Sequence, residues 1–239
     1  LHERDPEHYR DANHKPEIAI ALTPFTALCQ FREIEAIKKD LMRFQSLKLF
    51  FDSSLNTPST EDPQTWLKSA YEHIFSAGSD EISGVLGVLE TEVKREENPT
   101  LHDQWFQRIH TLYPDDCGTL SVYFLNILQL TPGEALRLRA GEPHSYLEGT
   151  IIECMANSDN VVRAGLTSKY IDQDVLMSML SYNPATPETD TGEQQAEGEQ
   201  AYRFPIPEFQ VEKWQHDFGF KNTYNANGAV SFLLVTRGQ

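Results

Sequence analysis

Residues 13–24 read NHKPEIAIALTP and place a cluster of polar residues directly before an apolar run. The run that starts at Ile18 is typical of a buried strand, and the Thr-Pro pair that follows ends it. Lys15 and Glu17 are two positions apart, so their side chains project to the same face of an extended backbone. Pro16 stiffens the segment between them, which therefore presents a fixed set of polar groups at one end of a predicted strand.

The composition is that of a globular protein with an acidic surface. Of the 239 residues, 39% are hydrophobic and 23% are charged, and the formal net charge is -16. Such a charge disfavours broad binding to nucleic acid or to anionic lipid, so we expect neither as a partner. No apolar run approaches the roughly 20 residues that a membrane-spanning helix needs.

The cysteines indicate a reducing compartment. Cys29, Cys117 and Cys154 are odd in number, widely spaced and without a CxxC motif, which argues against a disulfide framework. We therefore expect a cytoplasmic protein. The sequence starts at Leu1 rather than at a methionine, and we expect it to be an internal fragment of a longer protein.

Helical periodicity dominates residues 32–116. Apolar residues recur every three or four positions over residues 34–47, which predicts one amphipathic helix. Asp62 as N-cap and Pro63 at the first helical position predict the start of a second helix. Two further helices are expected, one after Ser79 and one over residues 102–112.

Alternating patterns return in residues 117–182 and predict short strands at the spacing of a barrel or sandwich. The pieces are LSVYFLNILQL, ALRLR, TIIECMA and VVRAGL, followed by a short helix near residues 173–180. Residues 183–201 carry five acidic side chains and almost no large apolar ones, so we expect a linker or mobile loop. Residues 202–239, which end in the strand-like AVSFLLVTRG, are expected to belong to a further, truncated β domain.

Glu17 and His144 are the leading candidates for metal ligands, because each stands beside a proline at the end of a predicted strand. Zinc accepts a carboxylate oxygen or an imidazole nitrogen at about 2.0–2.2 Å, and a catalytic zinc site normally has three protein ligands. Two ligands are too few for such a site. Taken alone, the pair is better explained as a solvated glutamate and a hydrogen-bonded histidine.

Two long stretches change this interpretation. NHKPEIAIALTPFTALCQFR and LTPGEALRLRAGEPHSYLEGTIIECMANSDNVVRAGLTSKY, with the helical block between them, resemble type I mannose-6-phosphate isomerase, a zinc-dependent cupin enzyme. The resemblance covers about the first 180 residues. It implies a mixed β and α fold, in which residues 1–31 and 117–182 form a cupin-type β-barrel, or jelly roll, with an inserted all-helical domain. Residues 202–239 would then start a second cupin-like β domain.

The resemblance also implies a metal and a reaction. Glu17 and His144 would bind one Zn²⁺ per chain, and two further ligands, a Gln and a His, are expected upstream of Leu1. The implied enzyme interconverts mannose 6-phosphate and fructose 6-phosphate by moving a proton between C1 and C2 through an enediol(ate). It would supply mannose for GDP-mannose synthesis, act on a small phosphosugar and be a monomer.

Several residues are candidates for the chemistry. Arg163, in NVVRAGL, matches the family's active-site arginine and suits either the enediolate or the phosphate. A divalent cation nearby would favour the neutral amine of Lys15, which could then transfer the proton. His14 is an equally close alternative for that task. An exposed arginine on an edge strand is the structural alternative for Arg163.

Three more residues are candidates for binding the substrate. Lys169 could contact phosphate, although the sequence has LTSKY where family members usually have TPK. Tyr146 and Glu153 could line the pocket, and each is as easily structural. The resemblance favours an isomerase for the parent protein, with the fragment itself inactive. The alternative function is a non-catalytic module that binds metal and sugar.

Overall fold

A computed structural model describes residues 2–3, 5–56, 62–169, 171–217, 219, 221, 223 and 228–238. Its strands are β1 (Glu17–Ala21), β2 (Phe25–Phe31), β3 (Leu125–Leu130), β4 (Ala135–Leu138), β5 (His144–Glu148), β6 (Ile151–Met155), β7 (Thr189–Asp190), β8 (Glu193–Ala196), β9 (Glu199–Tyr202) and β10 (Val211–Trp214). They form three antiparallel sheets, with the orders β6-β1-β4-β7, β3-β2-β5 and β10-β9-β8.

The first two sheets face each other across an apolar layer. That layer joins Ala21 of β1 and Leu136 of β4 to Phe25 and Cys29 of β2. Because side chains alternate along a strand, Glu17 shares this inner face of β1 with Ala21. The described strands of the two sheets are not hydrogen-bonded to each other, so the described part of the chain forms the two facing sheets of the expected jelly roll without closing into a barrel.

The third sheet covers the outer face of β1. Ile18 and Ile20 point away from the second sheet and pack in one cluster with Tyr202 of β9 and with Phe209. The Tyr202 hydroxyl donates to the Gly133 carbonyl at 2.7 Å. β1 therefore has apolar cover on both sides, which explains why its five residues are all buried.

The helical block lies between β2 and β3 in the chain. Its helices are α1 (Ile34–Leu41), α2 (Gln45–Phe50), α3 (Asp52–Leu55), α4 (Pro63–Ser76), α5 (Ser79–Arg95) and α6 (Leu101–Leu112), and α7 (Gln173–Met179) packs beside α4. They enclose the largest apolar cluster, which also contains Phe31 of β2 and Leu125 of β3. None of the described helices is long and apolar enough to cross a membrane.

The capping predictions are confirmed. The Asp62 side chain accepts from the Thr65 amide at 3.1 Å, and Pro63 is the first residue of α4. α6 begins with a reciprocal capping box, in which the side chain of Thr100 and that of Asp103 each accept from the other residue's amide. Both helices therefore start where local hydrogen bonding satisfies their free amides.

The helix predicted over residues 34–47 is instead two helices, α1 and α2. Phe44 is extended between them, and the Glu92 carboxylate of α5 accepts from the Gln45 and Ser46 amides, which caps α2. The apolar period continues through the break, so periodicity alone did not reveal it. A distant carboxylate supplies the cap.

One predicted strand is shorter than expected and another is absent from the described structure. Residues 120–123 of LSVYFLNILQL lie in a 3-10 helix over residues 117–123, and β3 starts only at Leu125. VVRAGL, which contains Arg163, has no strand. Gly165 and Leu166 both have positive φ, of 90° and 55°, and an added Cβ on Gly165 would lie 2.6 Å from the Gly118 Cα. A tight backbone contact therefore replaces extended pairing there.

The last part of the chain also differs from the prediction. Residues 183–201, expected to be a linker, contain β7, β8 and nearly all of β9. β7 is joined to β4 by backbone pairing and by an ion pair of Asp190 with Arg137. All four residues of β8 are exposed, which explains its polar sequence. AVSFLLVTRG forms no strand in its described residues, and Phe232 is 96% exposed.

Candidate functional site

Glu17 and His144 meet across the two facing sheets, although 127 positions separate them in the chain. Glu17 is the first residue of β1 in one sheet, and His144 is the first residue of β5 in the other. The His144 Nε2 lies 3.4 Å from the Glu17 Oε2. The Glu17 side chain is 9% exposed and that of His144 is 30% exposed, so the pair is accessible from one side.

Backbone hydrogen bonding fixes the tautomer of His144. Its Nδ1 lies 3.0 Å from the Glu142 carbonyl oxygen, which can only accept, so Nδ1 carries a proton. Nε2 is therefore the nitrogen that faces Glu17. Histidine ligands of metals commonly donate their other ring N–H in this way, which orients the ring and raises its basicity.

The charges of the pair favour a cation between them. Burial acts to raise the pKa of the Glu17 carboxyl, but His144 and Lys15 outweigh it, and that pKa lies below its ordinary value. Partial burial acts to lower the pKa of the His144 imidazole, but Glu17 and the Glu142 carbonyl outweigh it, and that pKa is raised. A carboxylate facing Nε2 is stabilised by a proton or by a metal ion at that nitrogen.

The spacing fits two ligands of one zinc ion. Two donors bound at about 2.05 Å in tetrahedral geometry are separated by about 3.3 Å, and the observed Nε2 to Oε2 distance is 3.4 Å. Within the described ranges, however, no group of three or more His, Cys, Asp and Glu side chains could hold a metal. Glu17 and His144 are therefore two donors that could bind one metal ion.

Lys15 lies where the sequence spacing predicted. Its Nζ is 3.1 Å from the Glu17 Oε1, so the two side chains share one face of the segment. The Lys15 side chain is 20% exposed. One carboxylate therefore faces an ammonium with one oxygen and an imidazole with the other.

Tyr146 and Glu153 complete the cluster. Tyr146 is two residues after His144 on β5, and the centres of the two rings are 5.8 Å apart. Its hydroxyl donates a hydrogen bond to the Glu153 carboxylate, which projects from the inner face of β6. Burial first, and Glu153 next, raise the pKa of Tyr146 far above its ordinary value, so this phenol stays protonated.

Arg163 and Lys169 lie together at one cavity. They line a cavity of about 240 Å³ with the carboxylate residues Asp159 and Asp172. The described lining of this cavity includes no member of the cluster formed by Lys15, Glu17, His144, Tyr146 and Glu153.

His14 lies on the other side of the segment from Lys15. Its Nε2 contacts the carboxylate of Glu208, which lies between β9 and β10. The sequence interpretation missed Glu208. The alternation of His14 and Lys15 would have placed their side chains on opposite faces, but nothing local identifies a partner 194 positions away.

Facing antiparallel sheets with a helical block inserted between their strands define the cupin-type class of fold with a helical insertion. The sequence model of the type I phosphomannose isomerase catalytic domain matches residues 1–34, and that of its helical insertion domain matches residues 44–125. Over these residues the chain matches the type I phosphomannose isomerase family, as the resemblance predicted.

Named relatives and solved structures support this assignment. The chain is 37% identical to human mannose-6-phosphate isomerase over 256 residues, covering 100% of this chain and 60% of that protein. It is 39% identical to a probable mannose-6-phosphate isomerase from Dictyostelium discoideum over 246 residues, covering 100% of this chain and 54% of that protein. The chain thus spans a little over half the length of these relatives.

Crystal structures confirm the fold class. A mutant phosphomannose isomerase from Salmonella typhimurium superposes with a TM-score of 0.73 and 33% identity, covering 86% of this chain and 51% of that one. A zinc-bound holo mannose 6-phosphate isomerase gives a TM-score of 0.72 and 33% identity, covering 86% and 51%. The predicted mixed β and α fold with a helical insertion is therefore correct.

Proposed function

We propose that the protein containing this chain is a zinc-dependent isomerase that interconverts mannose 6-phosphate and fructose 6-phosphate. The observation that carries the proposal is the meeting of Glu17 and His144 across two sheets at 3.4 Å. That distance suits two ligands of one zinc ion, and the chain is similar to zinc-bound mannose 6-phosphate isomerase. A supply of mannose for GDP-mannose synthesis would follow from this reaction.

The isomerisation needs no external oxidant and moves one proton from C2 to C1 and another from O2 to O1. A base removes the C2 proton of the aldose, and the electron pair forms the C1–C2 double bond of an enediol(ate) while O1 gains a proton. O2 then loses its proton as the C2 carbonyl forms, and a proton returns to C1. We assign this transfer to the side chain of Lys15, whose Nζ lies 3.1 Å from the Glu17 Oε1 on the inner face of the segment. His14, the alternative, faces Glu208 on the outer face.

Glu17 and His144 would hold the zinc, and bound zinc would polarise the sugar oxygens as a Lewis acid. Tyr146 stays protonated beside Glu153, so its orientation is fixed and the aromatic ring can form one wall of the sugar pocket. Arg163 and Lys169 present two cations at one cavity and would bind the phosphate or the enediolate oxygen. A monomeric state and a cytoplasmic location stay predictions.

The second candidate is a binding module that holds metal and sugar without turnover. The lining of the cavity at Arg163 and Lys169 favours it, since its described residues include neither Glu17 nor His144. Exchange of the C2 hydrogen separates the two functions. The full-length protein is incubated with mannose 6-phosphate in deuterated water, and loss of the C2 proton is followed by NMR.

For an isomerase we expect deuterium in both sugars and the appearance of fructose 6-phosphate. Lys15→Met should abolish exchange and leave zinc content unchanged. Saturable binding of mannose 6-phosphate without exchange in the unmodified protein would reject the isomerase in favour of the module.

A further inference from the structure

The segment between β9 and β10 is held against the outer face of β1. Phe209 packs with Ile18 and Ile20, and Tyr202, at the start of the segment, donates to the Gly133 carbonyl. From this position the Glu208 carboxylate contacts a ring nitrogen of His14. The connection between β9 and β10 of the third sheet thus contacts residues 13–16, which include Lys15.

We propose that Glu208 is a positioning residue, which acts through His14 to hold Lys15 against Glu17. The inference rests on the proposed isomerase function, in which Lys15 transfers the proton. Glu208 itself would touch neither the sugar nor the metal.

The hydrogen bonds of residues 13–16 explain why the contact of His14 with Glu208 matters. On one side, the Asn13 Nδ2 donates to the Asn157 carbonyl at 2.8 Å, and the Ala156 amide donates to the Pro16 carbonyl at 3.1 Å. Among the described residues, the contact of His14 with Glu208 is the polar side-chain contact between residues 13–16 and the third sheet. Lys15 lies between this contact and the hydrogen bonds to Ala156 and Asn157, so the position of its backbone depends on both.

The exposure of His14 and Glu208 agrees with a contact that supports Lys15 from the solvent side of the segment. The His14 side chain is 59% exposed and that of Glu208 is 25% exposed, whereas Lys15 is 20% exposed. The hydrogen bond from His14 is the main reason that the pKa of the Glu208 carboxyl lies below its ordinary value. Glu208 is therefore a carboxylate that accepts from an imidazole on the side of the segment away from the chemistry.

Steady-state kinetics of the full-length protein test the proposal. Glu208→Gln should lower kcat about threefold to tenfold and leave KM within about twofold, because small displacements of a reacting group slow the chemical step. Glu208→Asp, which keeps the charge, should recover part of the loss. Glu212→Gln is the control, since this exposed carboxylate accepts from Gln210 at 3.0 Å within the same sheet.

A double mutant decides whether Glu208 acts through His14. In a His14→Ala background, Glu208→Gln should cause no further loss of kcat. A loss of the same size as in the unmodified protein would overturn the proposal, because Glu208 would then act by another route.

Hydrogen exchange separates this proposal from the proposed function. In the 239-residue chain, Glu208→Gln should speed amide exchange at Ala156, whose amide donates to the Pro16 carbonyl at 3.1 Å, and Glu212→Gln should not. Unchanged exchange in Glu208→Gln would refute the positioning role even if the protein is an isomerase. If the full-length protein fails to turn over mannose 6-phosphate, faster exchange would still show that Glu208 holds the segment.

Discussion

The imidazole of His144 has one nitrogen committed to a backbone carbonyl and the other directed at a carboxylate. His144→Ala should therefore lower the zinc-to-protein ratio of the full-length protein by at least about tenfold at limiting zinc, measured by elemental analysis. His73→Gln is the control, because the amide can still donate to the Phe50 carbonyl that His73 contacts at 3.0 Å. An unchanged ratio in His144→Ala would exclude this histidine as a ligand.

Arg163 lines a cavity whose described lining includes neither Glu17 nor His144, so its loss should separate catalysis from metal binding. We expect Arg163→Ala to lower kcat/KM by about 10²- to 10³-fold in the full-length protein, the usual effect of removing a charge that stabilises a transition state. Zinc content should stay unchanged. A coupled assay that finds normal kcat and KM in this variant would remove Arg163 from the mechanism.

Gln30 stores local strain in β2. Its φ is 53° at a bulge between Cys29 and Phe31, and its buried Oε1 has no hydrogen-bond partner among the residues that the structure describes. Gln30→Gly should raise the free energy of unfolding by up to about 1 kcal/mol, since relief of strain exceeds the entropy that glycine adds to the unfolded chain. Urea unfolding measures this change.

Gln129→Gly is the matched control for that prediction, because Gln129 is an exposed glutamine on β3, which pairs with β2. It should lower the free energy of unfolding by about 0.5–1 kcal/mol. A similar loss in Gln30→Gly would show that the positive φ is not strained.

Among the secondary structure elements, those with local signals were predictable. The cap of α4 depends on Asp62 and Pro63, which are adjacent in sequence, and the prediction was correct. The break between α1 and α2 depends on Glu92, which is 46 positions from Ser46, and the prediction was wrong. The same holds for β7, whose Asp190 pairs with Arg137 on β4. Helix breaks and strands that depend on contacts with distant residues cannot be recognised from the local apolar periodicity.

The buried carboxylate of Asp103 joins α6 to the rest of the helical block. It is fully buried, contacts the Arg43 guanidinium at 2.9 Å and accepts from the Tyr123 hydroxyl at 3.1 Å. Asp103→Ala should lower the free energy of unfolding by about 3 kcal/mol, because it removes the closest carboxylate of the Arg43 guanidinium and the acceptor of the buried Tyr123 hydroxyl.

Denaturant unfolding followed by helical circular dichroism checks the Asp103 prediction. Glu96→Ala provides the comparison, since Glu96 contacts the same Arg43 at 3.5 Å but its side chain is 33% exposed. Its loss should cost less than about 1 kcal/mol. Equal costs for the two variants would show that burial does not set the strength of these pairs.

At the scale of the whole molecule, the identity of candidate site residues was easier to predict from the sequence than their positions in the fold. The spacing of Lys15 and Glu17 predicted a shared face, and the observed contact agrees. The meeting of Glu17 with His144 follows from the stacking of two sheets, which only the family resemblance implied. The contact of His14 with Glu208 requires the third sheet, whose strands lie partly in a stretch predicted as a linker.

The number of metal donors determines what this chain should do by itself. Glu17 and His144 are two donors, and the described ranges contain no group of three. Because zinc affinity depends on the number of preformed ligands, residues 1–239 alone should bind zinc at least about 10²-fold more weakly than the full-length protein. Turnover of mannose 6-phosphate by this chain should be negligible.

Competition with a chromophoric chelator measures the zinc affinity of both polypeptides, and a coupled assay measures turnover. Glu17→Gln in the 239-residue chain is the control that removes one of its two donors and should abolish the remaining weak binding. Tight binding of one zinc per chain, together with robust turnover, would contradict the argument. Residues 1–239 would then contain a complete site, with its other ligands outside the set of donors assigned above.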